Sequence, residues 1–415
     1  MLKNWIITEM KKANINQKDL SRLIDLQPSN LNKKLAGKGL FSVKEIDQIT
    51  QVLGLQPGYF YESLYRSWLV EKRKVSLQNL KDLIVKCLEL DKISIADRIV
   101  SHILEDQRNL EFLLESGETL YAQNRYKEAL YFFQNVYMNE RYFNSRRLAF
   151  SLYRIFLMSR EIDFDYAYDT ALLLSPHIKE LEGEDRRQAY SKVIAVFFIL
   201  EKWVLVRQLS QTLADLSKEH DPIMYGDALV YLGIVARVNR QYTRAMFYIS
   251  QYERISEEFR RWAIGNRLYV LIDQGQSEKL DDLYQYASQY GFPGFTDYLF
   301  EKCVELDRLD LIQKALSEHS EGLVNLYRPN NPIEAKRNVV ALINLAKYFF
   351  AIGKTTEGIT ELLGATRLSL RHKLRKQATM ISLLMFQYKE SCTIEQQGEF
   401  IQLYSKLLNE GKISL

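Results

Sequence analysis

The chain of 415 residues holds only 7 Pro and 18 Gly against 26 Tyr and 20 Phe, too little turn punctuation for a sheet-rich protein and well suited to long helices with aromatic cores. Its formal charge of +4 is unevenly placed: residues 1–66 carry 10 Lys and Arg against 6 Asp and Glu, leaving 46 of each sign in the remainder. A basic head on a neutral body points to a polyanion at the head.

Cys87, Cys303 and Cys392 are odd in number and far apart, with no CxxC, so neither a disulfide framework nor a zinc site is supported, and no metal or cofactor is expected. The N-terminal MLKNWIITEMKK lacks the apolar core of a signal peptide. The longest apolar run, Val193 to Leu200, falls far short of the ~20 residues that span a bilayer, so a cytoplasmic protein without membrane association is expected.

In chain order, Leu2, Trp5, Ile6 and Met10 recur at helical spacing, and Asn14 ends that helix. Asn16 caps a second helix, Gln17 to Ile24, with Leu20, Leu23 and Ile24 on one apolar face. After the connection Asp25-Leu26-Gln27, Pro28 opens a third helix whose Leu31 and Leu35 face inward. Gly37 and Gly39 stop it. Ser42 with Glu45 forms a capping box for a fourth helix, whose Val43, Ile46, Ile49, Val52 and Leu53 make the stripe before Gly54.

This stretch, INQKDLSRLIDLQPSNLNKKLAGKGLFSVKEIDQITQVLGLQPGYF, resembles the phage-repressor-like helix-turn-helix family along nearly its whole length. The matching features are the Gln17 helix, the small Ser21 against the turn, Leu26 in it, Leu31 on the third helix, the Gly37-Lys38 stop and the ending Leu53-Gly54-Leu55. The resemblance implies binding to a double-stranded DNA operator by a domain at residues 1–66. A recognition helix shows polar side chains to base edges while its neighbours hold phosphates. Gln27, Ser29, Asn30 and Lys33 are then the base-reading candidates, since Asn and Gln pair with adenine and Lys with guanine. Gln17, Lys18, Asn32, Lys34 and Lys38 are the phosphate candidates. No acid lies between Asp25 and Glu45 to repel the backbone.

Residues 67–75 read as a linker, itself helical in pattern, and residues 76–415 as one array of eight or nine helix pairs. In GETLYAQNRYKEALYFF the spacing is Gly117, Tyr126, Ala129, Phe133; in GIVARVNRQYTRAMFYI it is Gly233, Tyr242, Ala245, Ile249. These marks suit a tetratricopeptide-like pair, in which Gly lets two helices approach and the aromatic closes the turn. The turn anchors Tyr126, Phe164, Trp203 and Tyr242 lie 38, 39 and 39 residues apart. The expected fold is all-α, a helix-turn-helix domain followed by a right-handed tetratricopeptide-like solenoid. Arg328-Pro329-Asn330-Asn331-Pro332 reads as a loop or hinge.

Such arrays bind along their concave side. Counting from each motif, that side offers Arg160, Asp227 and Arg237, with Asn239 at a helix end, then Asn266 and Tyr269, then Asn344 and Lys347. A bound peptide needs amides for its backbone, a cation for its carboxylate and an acid for its amine. A helix-turn-helix head before such an array is similar to the Gram-positive peptide pheromone receptors, the Rap, Rgg, NprR, PlcR and PrgX groups and the phage arbitrium receptors. That resemblance implies a regulator whose repeats bind a short signalling peptide that modulates operator binding. The alternative is an array that binds a partner protein, such as a response regulator or an antirepressor.

A catalytic reading finds no residues. IGKTTEG at Ile352 to Gly358 ends like a phosphate loop but has Tyr348 where that loop needs Gly. His102, His177, His220, His319 and His372 are dispersed, and GxSxG and GxGxxG are missing. One helix-turn-helix covers one half-site, so a homodimer is expected. Its contact is placed in Ala378 to Leu415, through Ile381, Leu384, Met385, Phe386, Ile401, Tyr404 and Leu407.

Overall fold

The computed structural model describes residues 2–70, 75–162 and 164–410. Among them every regular element is a helix. The chain divides into two compact units, Met1–Met158 and Ser159–Leu415.

The first unit opens with α1 (Leu2–Lys12), α2 (Gln17–Leu23), α3 (Pro28–Leu35), α4 (Val43–Val52) and α5 (Tyr61–Val70). Leu2, Ile6, Met10, Leu20, Ile24, Leu31, Leu35, Ile46 and Ile49 close around one core. The expected caps are in place. The Asn16 side chain accepts the Asp19 N–H, and Ser42 and Glu45 cap α4 reciprocally. Leu23 departs from the expected face, being 61% exposed, because α2 buries only the side that Leu20 and Ser21 share.

The helix α5 crosses the expected boundary at residue 66. Its Tyr61, Leu64, Tyr65 and Trp68 are buried in the same core as the next helices, which are α6 (Leu77–Glu89), α7 (Ile93–Ile103), α8 (Leu110–Ala122), α9 (Tyr126–Asn139) and α10 (Arg146–Ile162). Arg98 of α7 reaches Glu62 of α5 at 2.8 Å, and the Tyr65 hydroxyl donates to the Arg98 carbonyl at 3.0 Å. The same offset of 36 residues joins Glu89 to Arg125, Asp91 to Lys127 and Glu118 to Arg154. Within this unit the fifth helix therefore stacks on α7 as one repeat stacks on the next, and the head is built into the start of the array.

The second unit continues with α11 (Phe164–Leu174), α12 (Gly183–Ile199), α13 (Trp203–Ser217), α14 (Pro222–Val238), α15 (Tyr242–Tyr252), α16 (Glu257–Asp273) and α17 (Lys279–Tyr290). It ends with α18 (Thr296–Glu305), α19 (Leu309–Glu318), α20 (Ser320–Leu323), α21 (Pro332–Ala351), α22 (Thr355–Arg371), α23 (Arg375–Gln387) and α24 (Ile394–Glu410). The four anchors Tyr126, Phe164, Trp203 and Tyr242 are each the first residue of a pair's second helix; the side chain of Phe164 lies outside those described. The period holds only over that stretch, since α7 starts 33 residues before α9 and α19 starts 30 residues after α17.

Few glycines make these turns. Asp91, Asn124, Glu201, Arg240, Asp307 and Lys373 take left-handed φ of 52° to 60°, each two residues before the next helix, where the chain leaves the preceding helix through a left-handed cap. Gly117 does admit a close approach, its missing Cβ standing 2.8 Å from the Phe133 ring. Gly233, read the same way from sequence, has no neighbour nearer than 3.7 Å, so space alone does not demand it. The tight position on that helix is Gly226, where a Cβ would meet the Phe259 ring at 2.3 Å. At the proline pair, Pro332 opens α21 and Asn331 caps it by accepting the Glu334 N–H at 2.9 Å.

Candidate functional site

In the head, α2 and α3 meet through a turn set by Asp25 at φ 51°. The Leu26 N–H donates to the Ser21 carbonyl at 2.9 Å, and the buried Ser21 hydroxyl donates to the Lys18 carbonyl at 2.8 Å. With Leu31 and Leu35 buried, Gln27, Ser29, Asn30, Asn32 and Lys33 stand exposed along α3. Gln17 and Lys18 are exposed at the start of α2, and Lys38 beyond the left-handed Gly37. The Lys38 N–H closes α3 on the Lys33 carbonyl at 2.8 Å. The Lys3 ammonium comes within 3.2 Å of the place a Cβ would occupy on Gly37, a neighbour that only the fold reveals.

Lys34 is the exception among the phosphate candidates. Its ammonium lies 2.6 Å and 2.5 Å from the two oxygens of Glu45, so it turns inward to α4 and is corrected from a DNA contact to an internal ion pair. Glu45 was read from sequence as a cap alone.

Residues 6–62 match the Cro/C1-type helix-turn-helix DNA-binding domain family. The head is a helix-turn-helix DNA-binding domain. The match extends to the first residues of α5, so this helix belongs both to the helix-turn-helix domain and to the stack that follows. A sequence search among curated proteins finds no match. By structure the chain is similar to PlcR of Bacillus thuringiensis in complex with the peptide PapR7 and DNA, at 15% identity and TM-score 0.28, covering 76% of this chain and 99% of that one. It is similar to the apo quorum sensor NprR from B. thuringiensis at 13% identity and TM-score 0.35, covering 89% and 99%. It is also similar to a Rap protein complexed with competence and sporulation factor at 12% identity and TM-score 0.32, covering 96% and 99%.

The second unit encloses a cavity of about 970 Å³, at the upper end of the range for bound small molecules. It is faced by the first helices α12, α14, α16, α18 and α21, with Tyr286 and Tyr290 of α17. Asp227, Arg237, Asn266 and Tyr269 line it as expected. The Arg237 guanidinium stands beside the paired rings of Tyr269 and Tyr298, whose centroids are 4.0 Å apart, at 5.1 Å and 5.0 Å from them, and reaches Asp273 at 3.2 Å. Its Nε is buried with no hydrogen-bond partner among the described residues. Tyr298 donates to the same Asp273 at 2.9 Å, and Lys302 stands 3.2 Å from it.

Four expected residues lie elsewhere. Asn239 is exposed and donates to Val235 of its own helix at 2.9 Å, because it ends α14 below the cavity wall. Asn344 is buried and donates to Val340 at 3.0 Å while accepting from Lys347 at 3.2 Å, and neither residue lines the cavity. Arg160 sits outside the lining, near enough to add to the burial that lowers the Lys192 ammonium below its usual range.

Sequence reasoning missed α18 and the first turns of α21, which bring Asp297, Tyr298, Glu301, Lys336 and Arg337 to the cavity. Most of the cations there are engaged. Arg337 pairs with Asp297 at 3.0 Å and Lys336 with Glu201 at 2.9 Å, while Arg261 stands 4.0 Å from Glu257. Asp227, Glu258 and Glu301 have no ion-pair partner among the described residues. Burial, then Glu258 and Asp221, push the Asp227 carboxyl up to about 6. Burial and Glu305 likewise raise Glu301.

Proposed function

We propose that the chain is a transcription regulator whose helix-turn-helix domain binds an operator and whose second unit takes a short signalling peptide that modulates that binding. The observation that supports it is the cavity faced by the first helices of the pairs, aromatic in its walls and holding three carboxylates without ion partners among the described residues. Such a lining suits a chain of amides bearing a positive group. Asp227 accepts an ammonium, and the Arg237 Nε has a donor left for a ligand carbonyl.

A cation pairs only with ionised Asp227, whose pKa near 6 lies above the usual carboxylate range. Affinity for synthetic penta- to decapeptides carrying an amine should therefore rise as pH rises through that value, by about tenfold between pH 5 and pH 7. Calorimetry on the full chain measures it. Asp227→Asn should flatten the profile; a profile still steep in that variant would place the amine on another group, and no peptide binding at any pH would favour a protein partner for the array.

Operator binding by half-sites further calls for a second copy. Ile381 and Met385 of the expected contact are instead buried in the unit's own core, and Leu384 packs against it. Tyr404 donates to the Ala378 carbonyl, and the side chain of Leu407 lies outside those described. What remains outward on α23 is the row Met380, Leu383 and Phe386, with Ile401 exposed on α24. We place the dimer contact there. Leu383→Asp with Phe386→Asp should sediment as a monomer where the native chain sediments as a dimer, and a dimer persisting in the double variant would move the contact elsewhere.

A further inference from the structure

Building on the head's DNA binding, we propose that Glu45 is a positioning residue of the DNA-binding face: it holds the Lys34 ammonium away from the DNA and ties the recognition helix α3 to α4. One carboxylate performs both tasks. Its oxygens receive the Lys34 ammonium at 2.6 Å and 2.5 Å, while Oε2 also accepts the Ser42 N–H at 2.8 Å that starts α4. The route of the lysine stem is prepared by the loop between the helices. A Cβ on Gly39 would stand 3.1 Å from the Lys34 Cγ, so glycine leaves room for the stem to pass. At its end the ammonium lies 5.7 Å from the centroid of the buried Phe41 ring.

An exposed ion pair would exchange its partner for a phosphate at little cost. This one is shielded, with Lys34 only 19% and Glu45 only 17% exposed, and a pair removed from water is strongly held because separating it strands a charge. The outer face of α3 is thus left with Lys33 as its cation beside the neutral Gln27, Ser29, Asn30 and Asn32. Base-edge contacts rather than bulk charge then govern that helix.

Counterion release reads the arrangement directly, because each phosphate neutralised adds about 0.9 to the slope of log K against log salt. The full chain is titrated against a short random-sequence duplex over a range of salt. Lys34→Met should leave the native slope unchanged. Glu45→Gln, which keeps the capping box but loses the charge, should steepen the slope by about 0.9 and raise non-specific affinity. The two substitutions together should restore the native slope. A structural role alone would not move this slope in a way that Lys34→Met reverses. The proposal is overturned if Lys34→Met alone flattens the slope by about 0.9, or if Glu45→Gln binds with the native slope. Should Glu45→Gln fail to fold, the Lys34→Met arm decides. A native chain that binds no duplex at low salt would instead remove the DNA-binding reading on which the proposal rests.

Discussion

Arg237→Ala is expected to cost about 3 kcal/mol of stability in the second unit, the low end for breaking a buried ion pair. The guanidinium stands beside the paired rings of Tyr269 and Tyr298 and pairs with Asp273, so its loss removes both a cation from those two rings and one partner of that carboxylate. Lys302 stands 3.2 Å from Asp273 and keeps part of the charge compensated, which sets the value at the low end. For a unit of this size the change corresponds to a fall in Tm of roughly 6–12 °C. Arg237→Lys should recover little, because an ammonium on a flexible stem cannot both pack its plane beside the two rings and bridge to Asp273. Scanning calorimetry of the full chain gives the answer. An unchanged Tm would return Arg237 to the role its position in the motif suggests, a ligand contact with no structural duty.

What the sequence made legible was what local pattern encodes. The Ser42 and Glu45 capping box, the Asn16 cap and the first residue of α9, α11, α13 and α15 all follow from short spacings, and all stand where they were expected. Asp227, Arg237, Asn266 and Tyr269 reach the cavity because each lies close in register to the motif at Gly233 or in the pair next to it. Asn239 and Asn344 show the limit of that counting. Helical register says which side a residue is on, and one turn's error converts a ligand contact into a cap or a core amide.

The remaining wall of the cavity was not legible for a different reason. Lys336 donates to the Ile199 carbonyl across 137 residues, joining α21 to the end of α12, and no local period carries such a contact. The pair that supplies α18 also lacks the anchor spacing, and on α21 the count reached Asn344 and Lys347 instead of Lys336 and Arg337, which line the cavity. Lys34 illustrates the same limit within the head. The sequence makes it a phosphate candidate next to Lys33, but a long side chain can fold back, and only the partner at Glu45 reveals that it does.

The exposed part of α3 carries the second large effect. Asn30→Ala and Lys33→Ala should each cost about 1–3 kcal/mol at an operator, the value of a good contact to a base edge. Their cost on random-sequence DNA should be smaller, because an amide or ammonium aimed at a base contributes only where the right base is present. Lys38→Ala should behave oppositely and weaken operator and random duplex alike, since a phosphate contact carries no sequence information. The fold keeps the comparison clean. Asn30, Lys33 and Lys38 are exposed while Leu31 and Leu35 hold α3 in place, so none of the three changes removes packing. An operator selected by the native chain from a random pool, followed by anisotropy titration of each variant on that operator and on a random duplex, separates the two classes. If Asn30→Ala and Lys33→Ala lower both affinities equally, α3 grips the backbone and the bases are read by another segment of the head.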